Sequence, residues 1–581
     1  MTSDKTRGRF FDRFDARSTL QLVIVGSILG TLYVAWLLAT SSNLGFARDE
    51  GFYFQAARDY ARWFEQLFSQ PKEALKQANI DAIWNENHEH PSLMKSLFSL
   101  SWMYLHKKWA LFTDASTAFR FPGMVMGGIS VAITYIFAAR LFSVRAGLFA
   151  AIALMMMPHY FYNAHLACFD IGIVAMWAAS VGTYYRAIRS RRILDAIVFG
   201  ITYGLTLETK HNAWILPAVF VPHALYVMRH ELGADVKKGK ISFPLPLLAM
   251  VTLGPAVFLA CWPWLWSDTI PRLQEYVNFH VHHVYYNMEF LGKNIYGPPS
   301  PKLYMPLLVA ASVPAITLLL ALVGVGLAAR SEIANLWRGL ALPKWRYMED
   351  LAARQESLVP KRDRHAEPIL LLGLAMCAPL AVFLLPSTPI FGGTKHWMPA
   401  YPFLAIFAGL GFDWLCFMTY CFLRVRLSAQ KKVLAPWVIP AVLFLTLLAP
   451  TMETVHSHPF GLSAYTPLVG GTAGGADLGL NRQFWGFTTQ SVAPYFKNAK
   501  PGTTLFIHDT AWSAWEQMQR EHRVPQTLQA TGAPGDSAYS LVHHELHMNE
   551  VDYQIWVAYE HTHPDWVLAH DGVPIVSVYK R

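Results

Sequence analysis

Long apolar runs separated by short polar segments dominate the pattern of this chain. The first run, Leu20 to Thr40, contains only a few Ser, Thr and Gln residues, and it is long enough to cross about 30 Å of hydrocarbon. Apolar runs of span length recur at about 19–40, 120–140, 146–163, 170–187, 195–209, 212–228, 244–266, 304–329, 368–386, 397–423 and 434–452. The pattern predicts an all-α polytopic membrane protein with about 11 transmembrane helices.

The basic residues between these runs predict which side of the membrane each loop occupies. They cluster at 1–17, 140–145, 186–192, 229–240, 330–364 and 424–432. Because cytoplasmic loops carry an excess of Lys and Arg, we expect a cytoplasmic N-terminus (1–18) and an external C-terminus.

The apolar segment 93–112 is an exception among the apolar runs. If it crossed the membrane, every later loop would change sides. We therefore expect it to lie in the membrane interface or to dip part way into the membrane.

Composition supports a membrane protein. The 581 residues are 53% hydrophobic and 15% charged, which is too apolar for a soluble protein of this length. The formal net charge of +9 is explained by the basic loops, so we expect a lipid bilayer and no nucleic acid as partner.

The predicted topology gives a transmembrane unit, 19–452, with external loops at 41–118 and 267–303, and an external tail, 453–581. The tail contains strand-like runs at 503–507 and 574–579 and a helical pattern at 512–523. It therefore predicts a small α/β domain. The Gly-rich stretch Val469 to Ala476 is interpreted as a loop.

Asp49 and Glu50 follow the first span directly, at the boundary between lipid and water. A carboxylate at this boundary is energetically costly, so such a pair is rarely accidental. Carboxylates in this position suit a general base or a metal ligand. Acids also favour the first turn of a helix, which 52–64 is expected to form, so one of the two can cap that helix while the other is functional.

The end of the first external loop alternates His and Glu. Glu86, His88 and His90 form a candidate site for a divalent metal, although a solvated polar loop is an equally good interpretation. His90 and Lys95 are expected near the head-group plane, where both side chains can contact phosphate.

Further ionisable residues fall at the external ends of predicted spans. They are Arg120, Asp170, Lys210, Lys395 and His396. Lysines at such positions often only extend towards water, but three cations beside acids also suit an anionic lipid phosphate. The loop 267–302 is rich in Tyr, Phe and His, which are typical of the membrane interface and can also stack on sugar rings.

Two motifs together resemble the GT-C glycosyltransferases, within them the protein O-mannosyltransferase and aminoarabinose transferase group (bacterial glycosyltransferase family 39-like). Asp49-Glu50-Gly51-Phe52-Tyr53 is similar to the family pattern Asp-Glu-x-x-Phe/Tyr. His90-Pro91-Ser92-Leu93-Met94-Lys95 resembles His-Pro-Pro-x-Gly-Lys, with Ser92 and Met94 departing from it. Arg120 and Asp170 complete the ordered set. The two departures argue against true mannosyltransferase specificity.

The resemblance implies an inverting transfer of a monosaccharide from a polyprenyl-phosphate donor to a hydroxyl of a protein, lipid or glycan, with Asp49 as general base. It also implies a bacterial inner membrane location with a periplasmic tail. It makes no cofactor certain, and a divalent metal is one possibility. A flippase or transporter of lipid-linked saccharide is the alternative, but it should show two matching halves and charges at mid-membrane. An inactive assembly scaffold would leave the external acids and cations unexplained.

Overall fold

The computed structural model describes residues 19–237, 243–336, 368–426, 435–545 and 548–581. The predicted basic segments 1–17, 330–364, 229–240 and 424–432 lie wholly or partly outside the described residues. The helices are α1 Thr19–Thr40, α2 Arg48–Ser69, α3 Pro71–Ala74, α4 Gln77–Trp84, α5 Leu93–Ser101, α6 Ala115–Leu141, α7 Val144–Met155, α8 Pro158–Ala164, α9 Phe169–Ser190, α10 Ile193–Leu207, α11 Pro217–Lys237, α12 Leu245–Cys261, α13 Thr269–Val281, α14 Tyr304–Ser312, α15 Ala315–Leu336, α16 Pro368–Ala381, α17 Tyr401–Arg426, α18 Ala435–Ser457, α19 Gly471–Asp477, α20 Trp512–Arg520 and α21 Asn549–Tyr559. The strands are β1 Met288–Phe290, β2 Lys293–Ile295, β3 Thr503–Phe506, β4 Leu528–Thr531, β5 Tyr539–His543, β6 Trp566–His570 and β7 Val573–Lys580.

The helices confirm a mostly helical membrane-spanning fold. Within the described residues, 4 helices are long and apolar enough to cross a membrane, or up to 6 if two bent pairs each count as one span. The count of eleven spans therefore stays a prediction. Segment 93–112 forms α5 and a following π-helical stretch, Trp102–Lys108, and its position in the interface also stays a prediction.

Proline explains why two of the predicted spans are bent. The axes of α7 and α8 differ by 71°, and those of α14 and α15 differ by 117°. The residues before the breaks, Met157 and Val313, have extended backbones, and each is followed by a proline. Proline disfavours the helical conformation of the residue before it, so each helix ends there.

Two glycines let α1 and α6 pack backbone to backbone. A Cβ atom on Gly30 would lie 2.5 Å from the carbonyl oxygen of Gly128, and one on Gly128 would lie 2.7 Å from that of Gly30. Small residues allow this close approach between membrane helices. The contact fixes the first span against α6, and so fixes the start of the first external loop.

The tail folds around a five-stranded sheet with strand order β4-β3-β5-β7-β6. Strand β3 is parallel to β4 and β5, whereas β7 is antiparallel to β5 and β6. The strands and helix predicted at 503–507, 574–579 and 512–523 correspond to β3, β7 and α20. The interpretation of Val469 to Ala476 as a loop is wrong, because most of this stretch forms α19.

The tail domain contacts the first external loop through α20 and α2. A Cβ on Gly51 would lie only 2.6 Å from the backbone nitrogen of Ala514, so only glycine allows this approach. Two turns further along α2, Arg58 donates a hydrogen bond to Gln517. The sheet domain is thereby held beside the first turn of α2, where Asp49 lies.

Candidate active site

A cavity of about 860 Å³ lies between the helical part of the chain and the tail domain. Six residues predicted from the sequence line it: Asp49, His90, Asp170, Lys210, Lys395 and His396. They come from α2, the loop before α5, the start of α9, the α10–α11 connection and the loop before α17. The fold thus collects residues from five separate parts of the chain onto one surface.

Asp49 is the accessible acid of the Asp-Glu pair. It lies in the first turn of α2, and its side chain is 22% exposed. The ammonium nitrogen of Lys395 is 3.5 Å from its Oδ2 atom. The same nitrogen lies 3.8 Å from the ring centroid of Trp485, which is within cation–π range. Burial lowers the pKa of Lys395, and the nearby carboxylate of Asp49 opposes that change.

Lys210 and Asp170 form a second pair on the cavity wall. The Lys210 Nζ atom is 2.6 Å from Asp170 Oδ1, and both side chains are buried. Asp170 stands at the start of α9, where the helix dipole favours a carboxylate. A lysine held in this way presents a charge to the cavity at little conformational cost.

Imidazole rings form much of the remaining polar surface. His211 stacks on His280 at 4.0 Å between ring centroids, and His90 lies 5.8 Å from His280. Burial, together with the neighbouring imidazole of His280, lowers the pKa values of His90 and His211 well below the usual range. Burial and the nearby lysines lower that of His396 in the same way. These rings are therefore neutral at neutral pH.

Four imidazole nitrogens on this surface have no protein partner within the described part of the chain. They are His90 Nδ1, His211 Nδ1, His396 Nε2 and His508 Nδ1. Buried polar atoms in proteins are nearly always hydrogen-bonded. An unsatisfied set around one cavity is therefore suited to a polar ligand rich in hydroxyl groups.

Glu50 has different surroundings from Asp49. Its carboxylate is fully buried and accepts hydrogen bonds from the backbone nitrogens of Ala47 and Ala167 at 3.0 and 2.9 Å. It accepts two more from the guanidinium of Arg120, at 2.8 and 2.7 Å. Arg120 also donates to backbone carbonyls of the first loop. Neither side chain lines the cavity, so the structure assigns this pair to holding the loop and the cap of α2.

Lys95 also lies away from the cavity. Its ammonium group donates to the carbonyl oxygens of Asn87 and His90, at 2.5 and 2.9 Å. It is fully buried, and burial lowers its pKa to about 7. Lys95 therefore supports the loop that carries His90, and its side chain does not line the cavity.

The candidate metal ligands of the first loop do not converge. His88 uses both ring nitrogens on the Asn85 carbonyl and on Glu275, and Glu86 is exposed to solvent. Within the described residues, Glu86, His88 and His90 do not come close enough together to share a metal ion. The geometry does not support a metal site formed by these three residues.

The tail domain supplies a wall of the cavity that the sequence did not predict. Asp509 and Glu545 line it, and the guanidinium of Arg48 reaches across to Asp509 Oδ1 at 2.7 Å. Arg48 also lies 3.9 Å from Asp49 Oδ1. Burial raises the pKa of Asp509 to about 6, although the nearby Arg48 lowers it. Burial and the charge of Asp509 likewise raise the pKa of Glu545.

A topological signal marks these tail residues. His508 and Asp509 follow the carboxyl end of β3, and Glu545 follows that of its parallel neighbour β5. In sheets with parallel strands, ligands bind outside the carboxyl ends of the strands. Sequence patterns indicated β3 but not β5, so the shared edge was not visible before folding.

Comparison with known sequences identifies a related family over part of the chain. A sequence model of the dolichyl-phosphate-mannose-protein mannosyltransferase family matches residues 101–264, a segment that includes Asp170 and Lys210. The match confirms the resemblance to GT-C glycosyltransferases. A search of curated proteins found no match to the chain.

Solved structures give a distant likeness over nearly the whole chain. ArnT from Cupriavidus metallidurans, bound to undecaprenyl phosphate, is 16% identical with a TM-score of 0.42, over 95% of this chain and 97% of that chain. The oligosaccharyltransferase of Archaeoglobus fulgidus in its apo form is 11% identical with a TM-score of 0.46, over 94% of this chain and 72% of that chain. Such scores are too low to equate individual residues.

Proposed function

We propose that this GT-C-type membrane glycosyltransferase moves a monosaccharide from a polyprenyl-phosphate donor to an acceptor hydroxyl, with inversion at the anomeric carbon. The observation that carries the proposal is the placement of Asp49 and Lys395 3.5 Å apart on the wall of one large cavity. A hydroxyl nucleophile needs a nearby base, and a phosphate leaving group needs nearby cations. This arrangement can provide both.

In the proposed reaction, Asp49 Oδ2 takes the proton of the acceptor hydroxyl while its oxygen forms a bond to the anomeric carbon. The bond from that carbon to the phosphate oxygen breaks, and its electron pair leaves with the polyprenyl phosphate. Lys395 and Lys210 stabilise the negative charge on the departing phosphate. Attack on the face opposite the leaving group inverts the anomeric configuration.

The contact between Asp49 and Lys395 suggests how donor binding prepares the base. At 3.5 Å the contact is longer than the strong charge-assisted hydrogen bonds of proteins. The anionic oxygens of a donor phosphate would accept hydrogen bonds from Lys395. The lysine would then turn from Asp49, which leaves a free carboxylate beside the acceptor.

The sugar and acceptor are proposed to occupy the imidazole and aromatic part of the cavity. The lining there includes Phe279, His283 and Phe391, and the last two rings stack at 4.5 Å. Flat rings suit the apolar faces of sugars, while the four unpartnered imidazole nitrogens suit hydroxyl groups. The acceptor hydroxyl can belong to a protein, a lipid or a glycan.

Purified protein with a labelled polyprenyl-phosphate sugar tests the reaction class. A transferase releases polyprenyl phosphate in step with the appearance of an acceptor glycoside of opposite anomeric configuration. A flippase in sealed vesicles would move the intact donor between leaflets and release none. Donor that crosses the bilayer uncleaved, with no release under any acceptor condition, would contradict the proposal.

The orientation is also proposed: an inner-membrane protein with its N-terminus in the cytoplasm and the tail domain in the periplasm. In a background without native cysteines, Arg192→Cys and Asp536→Cys place single thiols at exposed positions. An impermeant thiol reagent applied from outside should label Asp536→Cys and not Arg192→Cys. Labelling of both from one side would mean that the number of spans between them is wrong.

A further inference from the structure

Outside the cavity, three potential metal ligands meet where the last membrane helix contacts the tail domain. His456 lies in the last turn of α18, and His570 and Asp571 lie at the turn between β6 and β7. Over the described ranges, one ligand atom from each lies within 4.8 Å of the others. His456 is 114 positions from His570 in sequence, so only the folded chain brings it to the His570-Asp571 pair.

The three side chains are close enough to share one metal ion. His456 Nε2 is 2.7 Å from Asp571 Oδ1, and His570 Nε2 is 3.8 Å from Asp571 Oδ2. A tetrahedral zinc ion holds its ligand atoms about 3.4 Å apart, since each bond is about 2.1 Å long. The two distances to the Asp571 carboxylate, 2.7 and 3.8 Å, lie on either side of that spacing.

His570 gives an independent sign that a ligand belongs here. Its side chain is nine-tenths buried, yet the Nε2 atom has no hydrogen-bond partner in the described structure. The ring lies between His456, at 5.4 Å, and Phe460, at 5.5 Å, so it cannot turn freely to water.

Asp571 is held in place by its backbone conformation and by a hydrogen bond from Thr472. Its φ angle is +50°, a left-handed conformation that is unusual for a residue other than glycine. The hydroxyl of Thr472 in α19 donates to Asp571 Oδ2 at 3.0 Å. Hydrogen bonds of this kind orient the carboxylates of metal sites. The turn thus presents the carboxylate towards the two imidazoles.

We propose that His456, His570 and Asp571 bind a divalent transition metal ion, of which Zn²⁺ fits best, and that this ion fastens the tail domain to the last membrane helix. Two imidazoles and one carboxylate form a set that zinc accepts, with solvent as the fourth ligand. The partial exposure of His456 and Asp571 leaves an entry path for the ion. The site is structural and lies apart from the proposed chemistry.

Titration of the purified, chelator-treated full-length protein with Co²⁺, followed by Zn²⁺ competition, tests the site. Visible absorption of Co²⁺ reports imidazole and carboxylate ligands directly. His456→Ala removes an exposed ligand with little risk to folding, and His563→Ala is the matched control because it removes an exposed histidine of the same domain. We expect His456→Ala to weaken affinity at least about 10-fold and His563→Ala to leave it unchanged.

A second measurement separates this site from the histidines of the cavity. Zn²⁺ should raise the melting temperature of the wild type and of a His90→Ala/His280→Ala double variant, and it should not raise that of His456→Ala. Equal Co²⁺ affinity in wild type and His456→Ala would overturn the proposal. So would a cobalt signal that disappears in the cavity double variant, since the ion would then be bound in the cavity.

Discussion

Two acid–base pairs start from adjacent residues of α2 and have opposite surroundings. Glu50 and Arg120 are buried, and four hydrogen bonds occupy the Glu50 carboxylate. Asp49 and Lys395 lie on the cavity wall at 3.5 Å, and Asp49 keeps part of its surface open. The comparison separates a carboxylate whose hydrogen-bonding capacity is filled from one that keeps an open side towards a cavity.

The largest effect should come from the open pair. Asp49→Asn keeps the shape of the side chain but cannot accept a proton, so transfer should fall by about 10²- to 10⁴-fold while the melting temperature stays near that of wild type. Initial rates with purified enzyme measure the change. Asp59→Asn is the control, because Asp59 lies in the same helix and does not line the cavity. Near-normal turnover of Asp49→Asn would remove it from the role of base.

The closed pair should respond in stability instead. Arg120→Met leaves Glu50 as an unpaired buried carboxylate, which typically costs about 3–5 kcal/mol. We expect a large fall in the melting temperature and in the yield of folded protein. Glu50→Gln combined with Arg120→Met should recover part of the loss, because no buried charge remains. A stable but inactive Arg120→Met protein would instead place this pair in the chemistry.

The lysines of the cavity should affect donor binding. Lys395→Ala and Lys210→Ala each remove a charge proposed to face the phosphate, and the loss of such a hydrogen bond costs about 1.5–3 kcal/mol. The apparent KM for the polyprenyl-phosphate sugar should rise by roughly 10- to 100-fold, with little change in the KM for the acceptor. Lys302→Ala is the control, because Lys302 is an exposed lysine that does not line the cavity. Unchanged donor KM values in both variants would refute the phosphate clamp.

The smallest effect should come from the link between Arg48 and the tail domain. Burial raises the pKa of Asp509 to about 6, so the carboxylate that pairs with Arg48 is present above this pH and is lost as the pH falls through it. Wild-type activity should therefore decrease below about pH 6. Asp509→Asn should lower the rate at pH 8 by about two- to fivefold, since Arg48 is partly exposed, and should remove this step from the pH profile. An identical profile in both proteins would show that Asp509 does not position Arg48.

Local patterns were sufficient for features that depend on neighbouring residues. The apolar runs predicted the membrane helices, and the Asp-Glu and His-Pro motifs predicted the GT-C resemblance that the family match confirms. Six of the candidate residues proved to line one cavity. The chemical roles of these six residues stay predictions.

The sequence by itself determined the membrane class and the residue types of the candidate site. Only the tertiary structure decided which carboxylate is saturated, because Glu50 receives its partners from Arg120 and Ala167, 70 and 117 positions away. The same holds for the position of Asp509 and Glu545 on the cavity wall, and for the meeting of His456 with His570 and Asp571. Burial and hydrogen bonding are properties of neighbours in space, and a linear pattern records only neighbours along the chain.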